Sequence, residues 1–160
     1  MDYRKEYEKW LASPALSEDE RAELRALEGN DKEIKARFYG PLEFGTAGLR
    51  GTMYTGLHNM NRHVIRWATQ GFANVIRAEG TEAMQKGIAV CMDCRNHSAE
   101  FARETACVMA ANGIHVRLFE SLRPTPELSF AVREYGCQAG VNVTASHNPK
   151  EYNGYKVYWS

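Results

Sequence analysis

The sequence predicts a layered α/β/α domain with a mixed, mainly parallel sheet of about four strands, preceded by an N-terminal helical extension. Short apolar runs at residues 87–92, 114–119 and 139–143 have the length and composition of buried strands. Segments with apolar residues at helical spacing, 98–111 and 125–135, separate these runs. Such an alternation of strands and helices favours parallel strand pairs joined by right-handed crossovers.

The first forty residues indicate three short helices instead of this alternation. The first segment is charged and ends before a Ser-Pro pair. Ser17 and Glu20 then have the spacing of a capping box, and Gly29 is the expected end of the second helix. A third helix is predicted to end near residue 40. We therefore divide the chain into a helical extension, residues 1–40, to which we assign no chemistry, and a domain formed by residues 41–160.

Two further elements complete the prediction. Residues 63–78 carry apolar side chains at helical spacing, and Gly80 is the expected stop. A fourth strand is predicted at residues 155–159, where side chains alternate so that Lys156 lies on the face opposite Tyr155. No strand is predicted in the glycine-rich block before the helix.

Polar loops follow the three apolar runs, at residues 93–98, 121–125 and 144–148. Loops at the carboxyl ends of parallel strands lie along one edge of the sheet, where ligands bind in folds of this class. The topology alone therefore predicts a ligand site at this edge.

The bulk composition excludes several classes of partner. Lysine plus arginine number 20, as do aspartate plus glutamate, so the formal net charge is zero. A general nucleic-acid binder would have a basic surplus, and we expect no nucleic-acid partner. No apolar run approaches the length of a membrane span, and the charged N-terminus is unlike a signal peptide. We therefore expect no membrane partner and a cytoplasmic location.

Four cysteines, at positions 91, 94, 107 and 137, are expected to be reduced thiols, buried or half-buried. Cys91 and Cys94 form a C-x-x-C pair, and His97 lies three residues further on. A zinc site would need a second pair of ligands at metal spacing, which the sequence lacks, so we expect neither a metal nor a redox role.

The segment T-A-S-H-N-P at residues 144–149, followed by N-G-Y-K at 153–156, is the richest in chemistry. Small and turn-forming residues expose backbone N–H groups, which suit a phosphate. A serine hydroxyl is a weak nucleophile unless a neighbour activates it, and Lys156 could neutralise charge and move a proton. The pattern indicates that Ser146 carries a phosphoryl group.

These segments resemble the phosphoserine loop of the α-D-phosphohexomutases, the phosphoglucomutase and phosphomannomutase superfamily. A second block, F-G-T-A-G-L-R-G at residues 44–51, resembles the N-terminal signature of that family and is closest to its phosphoglucomutase-2-like branch. The two blocks have the family's order and roughly its separation. The resemblance identifies residues 41–160 as the first, phosphoserine domain of these enzymes, expected to be truncated at its C-terminus.

The resemblance implies catalytic roles for four residues. Ser146 would pass its phosphate to a sugar phosphate and take back the other phosphate of the resulting bisphosphate. Lys156 would act as the general acid/base towards the sugar hydroxyl. Arg50 would stabilise the transferring phosphoryl group, which its planar guanidinium suits. His147 would contact the phosphate or the substrate, with a role in loop structure as the alternative.

Phosphate binding and the metal follow from the same resemblance. Thr46 and Asn148 would help to bind phosphate. Mg²⁺ would be held by the phosphate of Ser146 and by a D-x-D-x-D-R loop of a second domain, a motif that this sequence does not contain. A sugar bisphosphate would be the activator, and the partners would be the phosphosugar and the remaining domains of the parent chain. The sequence leaves the roles of Asp93, Arg95 and Arg123 open.

The expected function is a fragment of a mutase that interconverts sugar 1- and 6-phosphates, with glucose as the favoured sugar. A fragment of a phosphopentomutase acting on ribose or deoxyribose 1- and 5-phosphates is the nearest alternative. A stand-alone sugar-phosphate-binding module and a non-enzymatic assembly piece remain open. We expect the isolated chain to be inactive and, because missing domains would leave an apolar face uncovered, capable of self-association.

Overall fold

In the computed structural model, which describes residues 1–46 and 48–160, seven helices surround a five-stranded sheet. The helices are α1 (Tyr3–Leu11), α2 (Glu18–Arg25), α3 (Asp31–Phe38), α4 (Arg62–Ala78), α5 (Thr81–Lys86), α6 (Ser98–Ala111) and α7 (Thr125–Glu134). The strands are β1 (Gly48–Thr52), β2 (Ile88–Met92), β3 (Val116–Leu118), β4 (Ala139–Val143) and β5 (Tyr152–Trp159).

The strand order is β1-β5-β4-β2-β3. Strand β2 pairs in parallel with both β3 and β4, whereas β5 runs antiparallel to β4 and to β1. Strands β1, β2, β3 and β4 therefore point the same way, and the loops that follow β2 and β4 lie at one edge of the sheet. The parallel pairing of β2 with β3 and β4 is what the alternation in the sequence predicts.

Helices pack on both faces of the sheet, which confirms the α/β/α class. On one face, α4 and α6 enclose a large core in which Ile65, Met109 and Tyr155 are fully buried. The hydroxyl of Tyr155 accepts a hydrogen bond from Thr69 at 3.0 Å, and burial raises the pKa of this phenol. On the other face, Leu128 of α7 packs with neighbours from its own helix and from β2.

The three N-terminal helices have an apolar cluster of their own. Its buried members are Leu16, Leu24, Leu27, Ile34, Phe38 and Leu57. The predicted capping box is confirmed, because the Ser17 hydroxyl accepts from the N–H of Glu20 and the Glu20 carboxylate accepts from the N–H of Ser17. Within this unit, Arg37 is 7% exposed and forms an ion pair with Glu23. The Glu23 carboxylate also accepts a hydrogen bond from the hydroxyl of Thr55, which connects the unit to the rest of the chain.

The structure adds elements that the sequence pattern did not predict. Strand β1 lies within the glycine-rich block, α5 follows Gly80, and β5 begins three residues before its predicted start. The sheet therefore has five strands where about four were predicted. It is mixed, as predicted, and four of its five strands point the same way while β5 runs opposite to them. Strand β1 carries two glycines and no apolar alternation, and its pairing with β5 makes it a strand.

The cysteines are free, but only two of them match the predicted burial. Cys91 and Cys137 are buried, and burial raises the pKa of the Cys91 thiol to about 12. Cys94 and Cys107 are exposed, because the first lies in a loop at the sheet edge and the second on the outer side of α6. None of the described helices has the length and apolar character that crossing a bilayer requires.

Candidate active site

Ser146 lies on a tight turn directly after β4. Ala145 is fully buried and anchors the turn, whereas the next side chain, Ser146, is exposed. The N–H of Asn148 closes the turn by donating to the carbonyl of Ala145 at 3.1 Å. Ser146 adopts φ +59°, a left-handed conformation that is uncommon outside glycine and tends to occur at functional sites. The fold thus holds this hydroxyl outwards in a conformation that the surrounding contacts must stabilise.

Thr144 connects this turn to the loop that follows β2. Its hydroxyl accepts from the N–H of Ser146 at 3.0 Å and donates to the carboxylate of Asp93 at 2.5 Å. The other oxygen of Asp93 accepts from the hydroxyl of Ser98 at 2.8 Å. Hydrogen bonds to a charged carboxylate contribute about 1.5–3 kcal/mol each, so Asp93 fixes the start of the Ser146 turn from across the sheet edge.

A cavity of about 390 Å³ opens beside this turn, at strands β1 and β5. It brings together three of the predicted site residues, Thr46, Arg50 and Lys156, with Thr144. Gly48 is paired with Lys156, and Arg50 is paired with Gly154 two residues further along. Residues paired across an antiparallel ladder share a face, so Arg50 and Lys156 project to the same side of the sheet.

Arg50 and Lys156 bring positive charge to this cavity. Among the described residues, neither forms an ion pair, although Glu43 also lines the cavity. Two cations without a carboxylate partner favour an anionic ligand, and a phosphate matches the geometry of a guanidinium.

The other predicted residues lie on the turn itself and do not line the cavity. His147 is exposed, and its Nδ1 lies 3.4 Å from the Ser146 hydroxyl. Asn148 is half-buried, and its side-chain oxygen has no hydrogen-bond partner within the described part of the chain. The predicted residues therefore form two adjacent groups, the Ser146 turn and the cationic cavity, joined by Thr144.

Close backbone approach at Gly154 brings these two groups together. The N–H of Thr144 donates to the carbonyl of Gly154 at 3.1 Å. A Cβ on Gly154 would lie 2.5 Å from the carbonyl oxygen of Thr144 and 3.0 Å from that of Leu49. Three strands converge at this point, and only a residue without a side chain fits between them.

The roles of Asp93, Arg95 and Thr144 were not predicted from the sequence. Thr144 opens the T-A-S-H-N-P motif, but its pairing with Asp93 spans 51 positions of the chain. The signal that could have found Asp93 is its place immediately after a buried strand, in the loop that the topology brings to the site. Arg123, also left open, pairs with Glu127 at the start of α7 and has a structural contact there.

The described residues include no group of three or more His, Cys, Asp or Glu side chains arranged to hold a metal ion. Asp93, the acidic residue that binds the turn, already accepts from Thr144, Ser98 and the backbone of Arg95. Within the part of the chain that the structure describes, the side chains therefore do not form a complete Mg²⁺ site.

Comparison with known proteins gives consistent matches. Residues 41–160 match the family model described as phosphoglucomutase/phosphomannomutase, alpha/beta/alpha domain I. A phosphopentomutase from Homo sapiens is 44% identical over 138 residues, which are 82% of this chain and 22% of that protein. A phosphoglucomutase from Staphylococcus aureus (strain USA300) is 42% identical over 131 residues, 82% of this chain and 23% of that protein.

The fold has solved counterparts. The crystal structure of a putative phosphomannomutase from Thermus thermophilus superposes with a TM-score of 0.67 at 31% identity, covering 75% of this chain and 26% of that one. The match to a phosphopentomutase from Mus musculus extends over 94% of the present chain, at 38% identity. The chain spans about a quarter of the length of the curated relatives it matches.

Proposed function

Because the chain belongs to the phosphoglucomutase/phosphomannomutase family, we propose that Ser146 is the phosphoserine of a sugar-phosphate mutase. The observation that supports the proposal is the position of Ser146 in the fold, together with its backbone conformation and its surroundings. Its hydroxyl is exposed, its backbone is left-handed at the carboxyl end of β4, and a cavity containing Arg50 and Lys156 lies beside it. This arrangement suits a group that gives a phosphate to a bound sugar and receives one back.

The proposed reaction consists of two transfers. In the first, a sugar hydroxyl attacks the phosphorus on Ser146, the bond to the serine oxygen breaks, and a sugar bisphosphate forms. Lys156 takes the proton of the attacking hydroxyl. In the second, the freed serine oxygen attacks the phosphorus of the other phosphate, the bond between that phosphorus and the sugar oxygen breaks, and Lys156 returns its proton to that sugar oxygen. Arg50 stabilises the charge on the phosphoryl group in both directions.

The remaining site residues have supporting roles in this proposal. His147, whose ring faces the serine hydroxyl, contacts the phosphate or the sugar. Thr46 and Asn148 contribute hydrogen bonds to phosphate, Thr46 from the cavity and Asn148 from the turn. These assignments are supported by position, and single substitutions assayed with saturating and limiting substrate would test them.

For Mg²⁺, the proposal gives this chain a single ligand, the phosphate on Ser146. Its other ligands are assigned to the remaining domains of the parent protein. The metal would neutralise phosphate charge. Titration of the phosphorylated and unphosphorylated chain with Mg²⁺ would test this, because weak binding should appear only with phosphate present.

Glucose 1- and 6-phosphates are the proposed substrates of the parent protein, with a glucose bisphosphate as the activator. Ribose or deoxyribose 1- and 5-phosphates are the second candidate, favoured by the phosphopentomutase names of the mammalian relatives. Assay of the full-length protein with both substrate pairs would decide between them. A ratio of kcat/KM that favours the pentose would overturn the first choice and leave the role of Ser146 intact.

The isolated chain should have no turnover of its own, since most of the substrate site is assigned to the partner domains. Ser146-dependent turnover by this chain alone would contradict that. Exposed apolar residues on α4 and next to it, including Trp67 of α4, support self-association of the isolated chain, which sedimentation at several concentrations would measure. A cytoplasmic location is also proposed, and cell fractionation would test it.

The central test is the substitution Ser146→Ala in the full-length protein. We expect mutase activity to fall by at least about a thousandfold, because the carrier is lost. Incubation with glucose 1,6-bisphosphate should add one phosphate to the unaltered protein and none to the variant, as measured by mass spectrometry. Ser129→Ala is the matched control and should retain both properties. Full activity in Ser146→Ala would refute the proposal.

A further inference from the structure

Arg95 is an arginine whose side chain is only 12% exposed, in the loop that follows β2. Burying a guanidinium is costly unless its donors are paired, so the contacts of this side chain indicate what it stabilises. One contact is the ion pair with Asp93, at 3.2 Å from Nε. The remaining contacts are all with the Ser146 turn and the residues that immediately follow it.

The guanidinium has five N–H donors, and each has an acceptor. Nε donates to the Asp93 carboxylate, Nη1 to the carbonyls of Pro149 (2.9 Å) and Tyr152 (3.0 Å), and Nη2 to the carbonyls of Ser146 (2.8 Å) and Asn148 (2.7 Å). A planar fork can reach acceptors in these several directions at once, whereas a lysine ammonium presents three donors from a single point.

These contacts determine which way the peptide groups of the turn face. The described peptide bonds include no cis bond, and in a trans peptide the C=O and N–H point in opposite directions. Because the carbonyl of Ser146 points at Arg95, the N–H of His147 points away from it. The carbonyl of Pro149 turns the N–H of Lys150 outwards in the same way. Outward N–H groups on a turn form the kind of concavity that binds anions.

The same loop also fixes the residue before the serine. Asp93 holds the hydroxyl of Thr144, which in turn accepts from the N–H of Ser146. The N–H of Ser146 is therefore held through Thr144 and Asp93, and its C=O is held by Arg95. Together these contacts stabilise the left-handed φ of +59° at this position.

We propose that Arg95 is the positioning residue of the Ser146 turn, holding its carbonyls inwards so that the serine and the outward N–H groups are set for phosphate. This inference rests on the proposed phosphoserine role of Ser146. Arg95 itself touches neither the phosphate nor the sugar, and acts through the backbone that it binds.

The first test compares Arg95→Lys with Arg133→Lys in the full-length protein. Arg133 is exposed on α7 and donates to Ser129, so its variant controls for loss of a guanidinium. We expect Arg95→Lys to lower kcat by about tenfold to a hundredfold, as misplacement of a reacting group does, with KM changed by less than about threefold. Arg133→Lys should leave both constants unchanged. An unchanged kcat in folded Arg95→Lys would overturn the proposal.

A second measurement uses the unaltered chain and so does not depend on how a variant folds. A guanidinium held by five acceptors cannot rotate freely, so Arg95 should show separate, slowly exchanging Nη–H resonances by NMR, unlike Arg133. Averaged, fast-exchanging resonances for Arg95 would overturn the proposal. The proposed function has its own separate failure, which is full activity in Ser146→Ala, and neither result with Arg95 decides it.

Discussion

The two halves of the sheet differ in what covers them. Strands β2 and β4 are buried along their whole length, with α6 on one face and α7 on the other. Strand β1 alternates between buried and accessible positions, and β5 becomes accessible from Lys156 onwards. Helix α7 covers one face of the sheet at β4. On that same face, the neighbouring strands β5 and β1 carry Lys156 and Arg50 beside an open cavity.

This difference separates stability from chemistry within one sheet. The covered half contributes apolar burial, at about 25 cal/mol per Å² of surface removed from water, and has no room for a ligand. The open half keeps two cations accessible, and the Ser146 turn is attached where the halves meet, after β4. Substitutions in the covered half should therefore change stability with little effect on the intrinsic chemistry, and those in the open half should do the reverse.

The largest expected effect of this kind is that of Lys156→Met in the full-length protein. Methionine keeps the length and apolar stem of lysine but can neither accept nor donate the proton. We expect kcat to fall by about a hundredfold to ten-thousandfold, the usual contribution of a general acid/base, which is the role proposed for Lys156. The free energy of unfolding should change by less than about 0.5 kcal/mol, because the side chain is on an open face.

Lys32→Met is the matched control for that prediction. Lys32 is exposed on α3, in the helical extension, and its substitution should leave kcat unchanged. Steady-state kinetics and chemical denaturation of both variants provide the comparison. If Lys156→Met lost stability by several kcal/mol while retaining kcat, the open half would be structural and the division between the halves would be wrong.

A substitution in the covered half, Leu128→Ala, should lower stability and leave kcat unchanged, which is the opposite of the effect expected for Lys156→Met. Leu128 is fully buried on α7, and its removal leaves a cavity against the sheet. We expect a loss of about 2–5 kcal/mol in the free energy of unfolding, with kcat per folded molecule unchanged. Leu122→Ala, at a side chain that is 53% exposed, should cost less than about 0.5 kcal/mol. Urea denaturation gives both values, and equal losses would mean that α7 is not packed as described.

The same division explains how much of the fold the sequence could predict. Strand β2 is a continuous apolar run, and β4 is apolar except for Asn142. The helices between them have regular apolar faces, so the local sequence pattern was enough to predict these elements. Strand β1 contains Gly48 and Gly51 and has no such pattern. Its conformation comes from pairing with β5, a contact between segments about a hundred residues apart, which no local window contains.

The candidate site divides in a similar way. The motif around Ser146 and the signature containing Arg50 were accessible to sequence reasoning because each is contiguous. The contacts of Asp93 and Arg95 were not, since they join loops more than fifty positions apart and involve mainly backbone carbonyls, which leave no side-chain signature. The topology predicts that their loop lies at the site, but the hydrogen-bond partners are seen only in the structure.

The smallest of the expected effects concerns the join between the halves, at Gly154. Alanine there would place its Cβ 2.5 Å from the carbonyl of Thr144, so β4 and β5 must move apart. We expect the free energy of unfolding to fall by about 1–3 kcal/mol, as it does at other overpacked positions. The backbone chemical shift of Ser146 should also change, because Thr144 holds the Ser146 turn. Gly71→Ala is the control, since Gly71 is exposed in α4 with open space around it and alanine should stabilise the helix by about 1 kcal/mol. Equal stability of the two variants would show that the strands do not converge closely at Gly154, and the Ser146 turn would then be positioned by the loop after β2 alone.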